Sequence, residues 1–128
     1  MKAIPEWQTE GFSSQAAYFW HLTNLVLDHR KTVEIDQRFN ALRQAEFVWR
    51  RETKQHFLSL LAQVLRTRHV VLRIEALKML ARNFNYREID TTLWRFEQRH
   101  DLTPLEHDQL ALMKSKPNWL FHHLLEAS

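Results

Sequence analysis

Residues 86–106 read YREIDTTLWRFEQRHDLTPLE, and this stretch decides the fold class. Tyr86, Ile89, Leu93 and Phe96 stand at i, i+3, i+7 and i+10, a spacing that puts all four on one side of an α-helix. The pattern runs out near His100-Asp101. Thr103-Pro104-Leu105-Glu106 then combines an N-cap threonine, a proline at the first helical position and a glutamate three residues after the cap. One amphipathic helix therefore gives way to another within a few residues.

Upstream, Val70 to Phe84 repeats the helical period through Ile74, Leu77, Ala81 and Phe84, and Asn83 and Asn85 stand where a left-handed C-cap is expected. Residues 34–68 hold neither glycine nor proline and set Ile35, Phe39, Leu42, Trp49, Phe57, Leu60 and Val64 on one broad face. Glu46, Arg50 and Thr53 intrude on that face, which predicts two helices, or one kinked helix, with the break near Arg51-Glu52-Thr53-Lys54. Ser13 or Ser14 caps an earlier helix carrying Phe19, Leu22, Leu25 and Val26, whose negative end suits Arg30-Lys31. A last short helix is expected from Pro117, capped by Ser115 or Lys116 and burying Leu120, Phe121, Leu124 and Leu125. The linkers are only a few residues each. The reading is an all-α fold, a compact bundle of about six or seven helices in an up-and-down arrangement with no significant β-sheet. Residues 1–12 lack periodicity and are expected to form an N-terminal arm pinned by Trp7 and Phe12. Residues 13–128 are expected to form a single helical domain.

Within the helix from Val70, the series Val71-Leu72-Arg73 with Ala76-Leu77 and Leu80 resembles the second helix of a HEAT-type repeat, in which an arginine precedes a small and then a large apolar residue. The match covers about one helix, and it implies HEAT-like pairing of this helix with a neighbour.

Composition excludes more than it assigns. The chain has 128 residues, 45% of them hydrophobic, enough apolar material for one domain with a real core. Gly11 is its one glycine, so a P-loop, a glycine-rich dinucleotide fingerprint and a nucleophile elbow are all absent. Without cysteine there is no disulfide, no thiolate nucleophile and no zinc site using sulfur. Met1-Lys2-Ala3-Ile4-Pro5-Glu6-Trp7 lacks the apolar stretch of a signal peptide, and the longest mostly apolar run, Phe57 to Leu65, is far short of the roughly 20 residues that span a bilayer. A soluble, cytoplasmic protein without a membrane partner is expected.

The net charge of +3 hides a sharper asymmetry. Residues 30–82 hold twelve Lys or Arg against five Asp or Glu, whereas residues 83–112 hold three Arg against Glu88, Asp90, Glu97, Asp101, Glu106 and Asp108. Within the basic segment 38–73, Arg43, Arg50 and Lys54 fall at i, i+7 and i+11 on one side of a helix, with Arg51, Arg66, Arg68 and Arg73 nearby. Arginine forks suit phosphate oxygens, and Trp49 beside Arg50-Arg51 offers a plane for stacking, so nucleic acid is a candidate partner. The competing reading is a solvated face whose cations pair with Glu46, Glu52 and the acidic 88–108 segment.

Five tryptophans are many for one small core, and an exposed Trp94 next to Arg95 would mark a protein interface or a self-association surface, as would Trp49. Enzymatic chemistry has thinner support. His100-Asp101, Glu106-His107-Asp108 and His122-His123 form a His and carboxylate cluster, and His100-Asp101 resembles the paired ligand of HD-type phosphohydrolases, which implies a small helical metal-dependent hydrolase using His100, His107 and their neighbours. Yet Glu97-Gln98-Arg99-His100 is one E-x-x-H, where a carboxylate-bridged two-metal bundle needs two. Ser13, Ser14, Ser59, Ser115 and Ser128 lack any nucleophile motif. Neither a metal, a cofactor nor a catalytic residue is assigned. The expectation is a non-enzymatic adaptor or regulator acting through a protein partner, with nucleic-acid binding second and the metal-dependent enzyme third.

Overall fold

The computed structural model describes residues 6–28 and 34–115, and every regular element in it is helical. In chain order these are α1 (Glu6–Thr9), α2 (Gln15–Val26), α3 (Ile35–Val48), a 3-10 turn at Arg51–Thr53, α4 (Lys54–Val64), α5 (Val70–Asn83), α6 (Tyr86–Glu97) and α7 (Pro104–Lys114). The fold is all-α with short connections, and the described residues contain no strand. The chain divides into two compact units, Met1–Leu60 and Leu61–Ser128, with the boundary inside α4. No described helix is long and apolar enough to cross a membrane. The helix expected from Pro117, and Arg30-Lys31, lie outside the described residues.

In the first unit, the arm expected to be irregular carries the helical turn α1, too short to show a period. Gly11 closes it at φ 84°, with its N–H donating to Gln8 O and that of Phe12 to Trp7 O, the paired bonds of a Schellman cap that needs a left-handed residue. Phe12 then rests against Tyr18 and His21, ring centroids 5.2 Å and 4.9 Å apart. Ser14 caps α2 by accepting from Ala17 N–H at 3.1 Å. The helix α3 packs on α2, but its buried face is Arg38, Ala41, Leu42, Ala45 and Val48. Of the large α3 residues expected on the core face, Ile35 is exposed and Phe39 half-buried while Leu42 is buried, so that stripe is turned partly outward; Phe47, which lies outside it, is exposed. Ala41 and Ala45, one turn apart, let the backbones approach where phenylalanine would hold them apart. Arg38 Nε donates to Val26 O at 2.8 Å, placing a buried cation on the negative end of α2. Burial lowers the pKa of that guanidinium, opposed by the nearby Asp28 carboxylate.

The break expected near residues 51–54 is present and starts at Trp49, whose backbone turns extended at ψ 151°. Thr53 is buried because its hydroxyl has a local partner, accepting from Arg50 N–H at 2.9 Å. Gln15 Nε2 donates to Val48 O at 2.7 Å and so ties the start of α2 to the end of α3.

The second unit is organised around a buried ion pair. On α5 the buried face is Leu72, Arg73, Ala76, Leu77, Met79 and Leu80, most of the residues that carry the HEAT-type resemblance. Arg73 is 1% exposed and Glu106, on α7, is 0% exposed. The guanidinium grips the carboxylate with two bonds, Nε to Oε2 at 2.9 Å and Nη2 to Oε1 at 2.6 Å, while Nη1 donates to Thr67 O at 3.1 Å and to Asp101 Oδ2 at 3.3 Å. Glu106 is also the glutamate of the Thr103 capping box, accepting from Thr103 N–H at 3.1 Å while Thr103 Oγ1 accepts from Glu106 N–H at 3.3 Å. Burial alone would push the Glu106 carboxyl up, but the bonds from Arg73 and Thr103 outweigh it and hold the carboxyl below its ordinary value.

The left-handed cap expected at Asn83 or Asn85 is not formed. No residue other than glycine has positive φ among those described, and Phe84 ends α5 in extended backbone. Asn85 instead starts α6, its side chain accepting from Glu88 N–H at 3.1 Å while Glu88 accepts from Asn85 N–H at 3.0 Å.

Glu106→Gln should lower stability at pH 7 by roughly 3 kcal/mol, the low end for a broken buried pair because Thr67 O and Asp101 still face Arg73. The carboxyl titrates below its unfolded value, so its contribution is fully present above about pH 4.3 and is lost as pH falls through the folded value. Urea denaturation should therefore show the gap between wild type and Glu106→Gln narrowing below about pH 4. A gap that widened on acidification would contradict this account.

Candidate functional site

The stripe of Ile89, Leu93 and Phe96 is buried, which fixes the rotational setting of α6 and turns the intervening residues outward. Trp94 is thereby 62% exposed, and Arg95 beside it is exposed as well. The capping box at Asn85-Glu88 and the salt bridge between Lys114 and Glu97 hold the two ends of the helix. Trp94 borders a shallow cavity of about 270 Å³ with Tyr86, Asp90 and Thr91.

Arg95, one residue on, borders a different and more enclosed cavity of about 170 Å³, lined by Ala62, Leu65, Arg66, Thr92, Arg95, Phe96 and Arg99. Arg99 is clamped: Nε donates to Asp101 Oδ1 and Nη2 to Asp101 Oδ2, both at 2.8 Å, and Nη1 donates to Leu65 O at 3.0 Å. The hydrogen bond with Asp101 raises the Arg99 pKa, and the same bond holds the Asp101 carboxyl well below the usual carboxylate range. Arg66 and Arg95 are exposed and have no carboxylate partner among the described residues.

The remaining candidates in the first unit are dispersed by the helix break. Arg43 lies on α3, exposed, with its guanidinium carbon 5.9 Å from the Phe39 ring centroid. Arg50 and Arg51 follow the end of α3, and Lys54 begins α4. The i, i+7, i+11 register assumed one continuous helix, and the extended backbone at Trp49 and Arg50 removes it. Arg50 Nη1 donates to Val48 O and Trp49 O, each at 3.0 Å. Trp49 is half-buried and stacked on Phe57 at 5.7 Å between centroids.

In the second unit, Arg68 is exposed. Arg73, grouped in sequence with the available cations, is buried and neutralised by Glu106 and Asp101, as the pairing of the basic and acidic segments anticipated. Its apolar neighbours on α5 give no room for a solvated guanidinium, so the charge is satisfied internally. The His and carboxylate cluster is likewise taken apart: Asp101 and Glu106 are held by arginines, and no three His, Asp or Glu among the described residues could hold a metal ion. His122 and His123 lie outside the described residues.

Arg99 and Thr92 were not singled out in the sequence. The available signal was the i, i+4 spacing of Arg95 and Arg99, which places both on one face. Comparison with known proteins finds no matching family model, curated protein or solved structure.

Adjacent residues on α6 should behave oppositely. Trp94→Ala is expected to change urea-denaturation stability by no more than about 0.5 kcal/mol, the range for an exposed side chain. Leu93→Ala should cost about 2 to 5 kcal/mol. A large loss in Trp94→Ala would place that ring in the core.

Proposed function

We propose that this chain is a small, non-enzymatic adaptor or regulatory protein that binds a protein partner, or a second copy of itself, through the outward face of α6. The observation that carries the reading is Trp94, a large aromatic ring in solvent on a helix whose opposite face and both ends are held. Such a ring loses little conformational freedom on binding, and with an adjacent arginine it matches the residue types that dominate interface energetics. Leu105 and Leu112, exposed at i and i+7 on α7, add apolar surface to the same unit.

A photo-crosslinking amino acid placed at Thr91, beside Trp94, is expected to give a discrete protein adduct in cells that produce the chain. The adduct should disappear in Trp94→Ala and should not form from Lys78 on α5. The same adducts from both positions, or none from Thr91, would remove the reading.

Nucleic-acid binding stands second. It keeps Arg43, Arg51, Arg66 and Arg68 as exposed cations, but Arg50 is tied to backbone carbonyls and Trp49 covers Phe57. Fluorescence anisotropy with short labelled oligonucleotides is expected to show at most weak binding that Arg50→Ala with Arg51→Ala leaves unchanged. Tight, salt-steep binding lost in that variant would put nucleic acid first.

A further inference from the structure

We infer that the cavity between Arg66, Arg95 and Arg99 is a binding site for the phosphate group of a small molecule. Leu65 and Phe96, both buried, line it together with Ala62, Thr92 and the three arginines. No carboxylate lines it. Arg99 is matched by Asp101, but placing Arg66 and Arg95 at the same recess without an anion is unfavourable, and the apolar residues that line it strengthen the charge interactions there.

The charge count specifies the ligand. Arg73 and Arg99 on one side, and Asp101 and Glu106 on the other, form a hydrogen-bonded network that is neutral in itself. The excess at the cavity is therefore the two charges of Arg66 and Arg95, which matches a dianion. Arg99 is the fixed element. Of its five N–H donors, three are spent on Asp101 and Leu65 O, leaving one on each Nη for a ligand. Arg66 and Arg95, exposed and without carboxylate partners among the described residues, would close over the bound group. Three arginines lining one cavity offer more donors than a planar carboxylate can accept, and so suit a tetrahedral group with several terminal oxygens. The recess of about 170 Å³ admits a phosphate and a short attached body. Its three arginines line one enclosed cavity, which favours a small molecule over a nucleic-acid backbone. This site overlaps the protein contact proposed above at Arg95 but does not use Trp94, so Trp94→Ala separates the two.

Isothermal titration of the full chain with inorganic phosphate, with adenosine monophosphate and with a short single-stranded oligonucleotide tests the inference. Saturable one-to-one binding of phosphate or of the nucleotide is expected, weakened by about tenfold or more in Arg66→Gln with Arg95→Gln. Trp94→Ala should bind normally, and so should Arg43→Gln with Arg51→Gln, which removes the same net charge elsewhere. Equal affinity for phosphate and nucleotide identifies the free anion as sufficient, and tighter nucleotide binding identifies a phosphomonoester on a larger body. Urea denaturation of each variant confirms folding, and Arg66→Gln alone serves if the double variant is unstable. No saturation by either small ligand at low salt would overturn the inference. So would equal weakening in both double variants, or preference for the oligonucleotide over both small ligands.

Discussion

The buried pair of Arg73 and Glu106 is the interaction on which the second unit depends. Glu106 answers two demands at once, closing the capping box that starts α7 and accepting the guanidinium that projects from α5. Neither group could sit there alone, since a lone charge in that position would be desolvated without compensation. The helix start and the helix pairing are therefore coupled through one carboxylate. Such pairs are weak contributors to net stability compared with apolar residues of the same shape, but they specify register, because only one sliding position of α7 on α5 brings the fork onto the carboxylate.

The same network extends outward through Asp101, which faces Arg73 at one oxygen and Arg99 at both. This continuity fixes Arg99 at the edge of the cavity and leaves Arg66 and Arg95 uncompensated. Structure and candidate site are thus two ends of one electrostatic arrangement: within the network Arg73 and Arg99 are matched by Glu106 and Asp101, and at the cavity Arg66 and Arg95 are left over. The contrast between a basic central segment and an acidic one after it has the same origin. Part of the acidic segment exists to neutralise an arginine of the basic one, and part of the basic excess is outward-facing.

In the first unit the corresponding role falls to Arg38, which satisfies the carbonyl end of α2 from inside. Its presence on the buried face of α3 explains why the small residues Ala41 and Ala45 are buried while Ile35 and Phe47 are exposed. A hydrophobicity pattern ranks side chains by size and polarity and would place the large ones inside. Close packing of two helices instead rewards the face that permits approach.

By itself the sequence determined the helical class, the break before Lys54, and the starts of α2 and α7, because these rest on local chemistry: the 3.6-residue period, the scarcity of glycine, and caps that close within four residues. It also excluded phosphate loops and thiolate chemistry by composition. What it could not determine was which cations are spent. Arg73 and Arg66 look alike in sequence, as do Arg38 and Arg43, yet one of each is buried against a partner 33 or 12 residues away and the other stands in solvent. Whether Trp94 faced the core or solvent likewise turned on how α6 is set against its neighbours. Pairing across such distances depends on tertiary geometry, where the cost of desolvating a charge is weighed against a specific acceptor, and no local pattern carries that information.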